Sequence, residues 1–126
     1  MSQAVDVSIE QGKIRVNRVV CVIDCGQVIN PDIVRGQMEG AIMYGLSAAL
    51  FGDLDIQGGR IKQSNFHDYS ILRMDEAPSV EVIIIDSDED PTGVGEPGLP
   101  PIAPAVANAV FQLTRQRLWS LPLTLT

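Results

Sequence analysis

Residues 13–52 read KIRVNRVVCVIDCGQVINPDIVRGQMEGAIMYGLSAALFG, and the change of period inside this stretch decides the fold. Ile14, Val16, Arg18, Val20 and Val22 recur every second residue, the period of a strand. From Val19 to Ile23 both faces turn apolar, which predicts a strand covered on both sides and central in a larger sheet. At Val28-Ile29-Asn30-Pro31 the pattern changes. Asn30 is a good N-cap, Pro31 suits the first helical position, and Asp32 complements the positive end of the helix dipole. Val34, Met38, Ala41, Gly45, Ala48 and Ala49 then recur at helical spacing, with Ile42, Leu46 and Leu50 widening the stripe, until Gly52 offers a stop. The stretch predicts a largely buried helix. Gly36, Gly40 and Gly45 inside it each cost about 1 kcal/mol against alanine, which implies close approach of another backbone or of a ligand.

Upstream, Val5, Val7 and Ile9 alternate with polar residues up to Gln11-Gly12, predicting a hairpin with the strand described above. Downstream, Asp53-Leu54-Asp55-Ile56 and Arg60-Ile61-Lys62 flank Gln57-Gly58-Gly59, a short hairpin signal. Ser64 to Asp75 has no clean period and reads first as a connector. Val80 to Ile85 is a strand, ended by the acidic run Asp86 to Asp90. Residues 91–101, PTGVGEPGLPP, form a loop shaped by glycine and proline. Ile102, Val106, Ala109, Val110 and Leu113 recur at helical spacing behind it, so the loop brings Glu96 close to a helix N-terminus. The tail places Arg115 and Arg117 at a helix end, followed by an extended segment around Pro122. The expectation is one α+β domain over residues 1–126, with mixed sheet strands and two main helices.

The chain has 126 residues and a formal charge of −7, with 45% hydrophobic and 20% charged residues. That is enough to bury a core and argues against disorder. The acidic balance removes the counterion release that drives non-specific nucleic-acid binding and disfavours anionic membrane surfaces. No run approaches a membrane span, and MSQAVDVSIEQG has neither the basic nor the apolar region of an export signal. Cys21 and Cys25 are too far apart along a strand for a disulfide. Without further Cys or His partners they are a poor zinc site, so they read as buried thiols and no metal ligand is assigned.

Phosphate-loop, nucleophile-elbow and zinc-protease motifs are missing, and His67 is the single histidine. It sits in a polar loop and reads as a hydrogen-bonded side chain. Glu96 is the one carboxylate in a stretch otherwise apolar, Gly or Pro from residue 93 to 107. It reads either as an exposed loop acid favoured by the helix dipole, or as a general base fixed by Pro97 in a dry pocket, with Gly95 beside it letting a bulky cofactor or substrate approach. Gln37 poses the same choice: solvated, or facing a ligand's heteroatoms across the bare surface left by Gly36 and Gly40.

Three pieces in order then matter together: VIDCGQVINPDIVRGQMEGAIMYGLSAALFG, QSNFHDYSILRMDEAPSVEVIII and PTGVGEPGLPPIAPAVANAVFQLTRQRLWSLPL. From about residue 16 to 123 the chain closely resembles the C-terminal end of the molybdenum-binding subunit of the xanthine oxidase, or molybdenum hydroxylase, family. It is nearest to isoquinoline 1-oxidoreductase beta-subunit-like and aldehyde-oxidoreductase-like members. The resemblance implies a piece of a molybdopterin-binding domain and a molybdenum-pyranopterin cofactor in the intact subunit. It implies that Glu96, in GVGEPG, is the base that takes the proton from a molybdenum-bound hydroxide as its oxygen attacks an electrophilic carbon, with a hydride passing to the sulfido ligand. Gln37, in GQMEG, is similar to the glutamine that hydrogen-bonds the pyranopterin, and Gly36 and Gly95 flank those two residues.

The implied substrate is an N-heterocycle or an aldehyde. The implied partners are the remainder of the molybdenum subunit and an iron–sulfur subunit or domain, since nothing here has the cysteines for clusters. Family subunits are several times longer, and their other cofactor-embracing loops lie upstream of this stretch. The expectation is therefore a C-terminal piece that folds alone but holds no cofactor stably and self-associates through exposed apolar surface. Cytoplasmic and periplasmic locations both stay open. The rival reading is a non-catalytic binding or assembly module that keeps the fold; the Glu at position 96 disfavours it.

Overall fold

In the computed structural model, which describes residues 1–125, the first hairpin consists of β1 (Ser2–Glu10) and β2 (Lys13–Ile23), paired antiparallel. Gln11 and Gly12 join them with φ of 51° and 78°, the double positive φ of a turn whose twist matches its strands. The register runs from Ser2↔Val22 to Asp6↔Arg18 and resumes at Val7↔Val16, so Asn17 is a bulge. Its Nδ2 donates to Asp6 Oδ2 at 3.2 Å, while Arg18 pairs with Glu81.

One extra residue reverses which side chains face inward. The buried set is Val16, Val19, Cys21 and Ile23, and the alternation expected through Val20 and Val22 ends at Val16. Val20 and Val22 are only half-buried on the opposite face, so β2 is fully covered on one side and not on both.

β3 (Ile56–Gln57) and β4 (Arg60–Ile61) make the small expected hairpin, with Gly58 and Gly59 at positive φ. β5 (Ser79–Ile84) pairs parallel with β2, giving the order β1-β2-β5. β2 is central, as its sequence predicts, and the sheet is mixed.

α1 spans Pro31–Phe51. Asn30 Oδ1 accepts from the backbone N–H of Asp32 at 3.1 Å and of Ile33 at 3.3 Å, and the Gly52 N–H closes the far end on Ala48 O at 3.2 Å. The helix is buried along one face, through Val34, Met38, Ile42, Leu46 and Ala49, rather than all round. Its other face exposes Ile33, Gly36, Gln37, Gly40 and Tyr44. Of the three interior glycines only Gly45 answers to packing: a Cβ there would lie 2.5 Å from Ile102 Cγ2 and 3.1 Å from Leu99 O. Gly36 and Gly40 face open space.

α2 spans Ile102–Thr114 and buries Ile102, Val106 and Val110. Leu113, expected in the apolar stripe, is exposed, and Arg115 takes a left-handed conformation (φ 64°) that ends the helix. Arg115 and Arg117 thus follow the last turn, with the Arg117 guanidinium 3.6 Å from the centre of the Phe111 ring. α2 packs on β1, and α1 on β5 and α2, so both helices cover one face of the sheet. Met38, Ile42 and Leu46 are fully buried there, each side chain contributing about 1.5–3 kcal/mol by leaving water. Beyond α2 the tail fastens to α1 through Leu123 N–H to Ala49 O at 2.7 Å. Cys21 and Cys25 are buried free thiols, and burial pushes the Cys21 thiol pKa up. Among the described residues no helix is long and apolar enough to cross a membrane.

Candidate functional site

The 91–101 loop is anchored at both ends by backbone. At its start, Gly26 (φ 72°) lets the chain leaving β2 touch the acidic run: a Cβ there would lie 2.2 Å from Asp90 O. Gln27 N–H donates to Glu89 O at 3.0 Å, and Thr92 N–H to Cys25 O at 2.9 Å. At its end, Leu99 N–H donates to Glu96 O at 3.0 Å, and Ile102 N–H reaches Leu99 O at 3.4 Å, a turn that runs directly into α2.

Gly98 seats the loop on α1. A Cβ at this position would stand 2.8 Å from Ala41 Cβ and 3.3 Å from Met38 Sδ. Ala41 lies one helical turn from Gln37, so the loop that carries Glu96 packs on the same helix as Gln37, while Gly36 lies on the helix face turned away from Met38. The four residues singled out from sequence therefore occupy two neighbouring segments.

Glu96, Gly95, Gly36 and Gln37 are all exposed. Among the described residues nothing encloses the Glu96 carboxylate. No Cβ-sized obstruction lies within 4 Å at Gly36, Gly40 or Gly95. A broad rigid ligand can thus reach the backbone there, with the Gln37 amide offering two N–H donors and an acceptor oxygen. This bare, polar-edged surface fits a flat heteroatom-rich cofactor. Two hollows of about 300 and 560 Å³ lie elsewhere, between α2 and the tail and at the tip of the first hairpin. Among the described residues no group of three His, Cys, Asp or Glu side chains converges to hold a metal ion.

The Ser64–Asp75 segment is the capped connector expected. Asp68 accepts from Ser64 N–H at 2.9 Å, Asn65 N–H at 2.9 Å and Ser64 Oγ–H at 3.1 Å. The Asn65 and Ser64 backbone donors hold its carboxyl below the usual range. His67 is exposed beside it, 3.6 Å from Asp68 Oδ2.

Sequence reasoning missed Gln3, whose Nε2 donates to Gly98 O at 2.8 Å. The available signal was a polar residue two before Val5, on the apolar side of an alternating strand. Gly26 and Gly98 were also missed, since only contact with distant backbone or side chains reveals what they do.

Comparison with known proteins follows the same lines. The molybdopterin cofactor-binding domain family model matches residues 2–78. The beta subunit of isoquinoline 1-oxidoreductase from Brevundimonas diminuta is 44% identical over 113 residues, covering 90% of this chain and 14% of that protein. The aldehyde oxidoreductase molybdenum-binding subunit of Escherichia coli K12 is 35% identical over 123 residues, covering 90% and 17%. Quinoline 2-oxidoreductase from Pseudomonas putida 86 shares the fold, with a TM-score of 0.78 at 24% identity over 86% of this chain and 15% of its own. The chain spans a small part, 14% and 17%, of the curated relatives' lengths. With its mixed sheet, its Asn30-capped helix and this match over residues 2–78, the chain belongs to the molybdopterin cofactor-binding domain family, as found in molybdenum-binding subunits of the xanthine oxidase type.

Proposed function

We propose that this chain acts as the base-bearing segment of a molybdenum hydroxylase subunit that oxidises an N-heterocycle or an aldehyde. The observation that supports this reading is the seating of Gly98 on Met38 and Ala41, which brings the loop that carries Glu96 onto the helix that carries Gly36 and Gln37. When bound, a molybdenum-pyranopterin supplies two-electron oxidation of a substrate carbon with oxygen drawn from water. Gln37 holds the pterin's heteroatoms through its amide, and Gly36 and Gly95 leave room for the ring system. Glu96 accepts a proton at its carboxylate while Pro97 and the Leu99–Glu96 turn keep it in place.

The partners in this reading are the remainder of the molybdenum subunit, which closes the site over Glu96, and an iron–sulfur subunit or domain that removes the electrons. Ile29 (93% exposed), Tyr44 (71%) and Trp119 (88%) support cover by further protein, and alone the chain is expected to retain no cofactor. The test is oxidation of a heterocycle such as isoquinoline, or of benzaldehyde, by the complete assembled enzyme in isotopically labelled water. Label in the product is expected; product oxygen drawn from elsewhere overturns the reading.

Gly36→Ala offers a check with two opposite signs. In the chain alone it adds a helix former at an open position and is expected to stabilise the fold by up to about 1 kcal/mol, read by urea unfolding. In the assembled enzyme the same methyl group occupies the cofactor's surface, and the pterin content per subunit is expected to fall. A more stable chain with undiminished pterin rules out Gly36 as part of the cradle.

A further inference from the structure

Gln3 stands opposite Cys21 in the β1–β2 register, on the sheet face that the helices cover. A polar side chain there has a cost, because Gln3 Oε1 is buried without a partner, and an apolar residue of similar shape would avoid that cost. What the amide supplies is its donor: Nε2 gives a hydrogen bond to Gly98 O at 2.8 Å and lies 4.0 Å from Cys21 Sγ. The accepting carbonyl belongs to the residue that seats the loop on α1.

Gly98 lies inside the turn closed by Leu99 N–H and Glu96 O at 3.0 Å, and Pro97 fixes φ within that turn. Residues 96–99 therefore move as one piece, and a clamp on Gly98 sets the position of Glu96. We propose that Gln3 is a positioning residue that holds the Glu96 turn against the sheet, so that the carboxylate meets its proton donor at working distance. This rests on the reading of Glu96 as the base, since a displacement of about 1 Å in a reacting group can cost roughly 100-fold in rate.

The experiment has two arms. In the 126-residue chain, amide hydrogen exchange is followed residue by residue for Gln3→Leu and Gln3→Glu. With leucine, the Leu99 amide is expected to exchange about tenfold faster, the loss of one hydrogen bond, while β1, β2 and α1 keep their protection. With glutamate, protection is expected to be low while the carboxyl is ionised and to recover when it is protonated and again has a hydrogen to donate. The glutamate variant decides the matter if the leucine variant fails to fold.

In the assembled enzyme, Gln3→Leu is expected to lower kcat about tenfold or more with KM little changed. Unchanged Leu99 protection in both variants overturns the proposal whatever Glu96 does. A loosened loop with wild-type kcat also overturns it, provided Glu96→Gln is inactive in the same assay. If Glu96→Gln retains full turnover, the base assignment has failed, and the exchange arm alone decides whether Gln3 holds the turn.

Discussion

Glu96→Gln in the assembled enzyme is expected to lower kcat by about 10²–10⁴-fold, with molybdenum and pterin content unchanged. The substitution keeps the shape of the side chain and removes its capacity to take a proton. The turn around it is closed by backbone groups, Leu99 N–H on Glu96 O, and is seated by Gly98, so the geometry survives. Because Glu96 is exposed in this chain, stability is expected to stay within roughly 0.5 kcal/mol of the parent. KM is expected to change little, since in the proposed reading the carboxylate acts on the reacting proton rather than on substrate binding. Steady-state kinetics with metal and pterin analysis on the same preparation checks this. Turnover within a few-fold of the parent removes Glu96 from the chemistry.

The second large effect is structural. Gly26→Ala is expected to destabilise the chain by roughly 3–5 kcal/mol, well above the typical point substitution. The left-handed conformation at φ 72° costs a residue with a Cβ about 1–2 kcal/mol. The added carbon also meets backbone that cannot swing away, at 2.2 Å from Asp90 O and 2.7 Å from both Asp90 C and Glu89 O. Relief requires breaking Gln27 N–H to Glu89 O or Thr92 N–H to Cys25 O, the pair that straddles the contact. Against a total of about 0.05–0.15 kcal/mol per residue, the loss is a large fraction of the whole. Urea unfolding of the parent and variant measures it, and a midpoint close to that of the parent contradicts the account.

Local chemistry made much of this fold legible. The Gln11-Gly12 turn, the Asn30 cap with Pro31 behind it and the Gly52 stop each depend on a few adjacent residues, and each stands where the sequence puts it. The phase of β2 was misread, because the alternation was carried through Arg18 to Val20 and Val22, whereas the two consecutive polar residues Asn17 and Arg18 between buried Val16 and Val19 mark the bulge. Gly36, Gly40 and Gly45 look alike in sequence, yet Gly45 is required by Ile102 and Leu99, more than fifty residues away, while the other two front open space. Glu96 stood out for its apolar, Gly- and Pro-rich neighbourhood. Its exposure is the outcome that one of the two readings of this residue allowed, and neighbouring residues alone did not choose between an exposed acid and a base in a dry pocket.

The parallel pairing of β2 with β5 also sets an order of events in folding. The β1–β2 hairpin closes through two turn residues, and such units form in microseconds. β5 can join only after residues 24–78 are brought round, a long closure whose entropy must be met before the contact rewards it. The Glu96 loop lies beyond β5 and leans on Cys25 just past β2, on α1 and on Gln3 at once, so it is expected to assemble last. It is equally the first to let go. Mild denaturant is expected to melt the region around Glu96 while the hairpin still holds its hydrogens, so this protein should lose its working geometry well before it loses its fold.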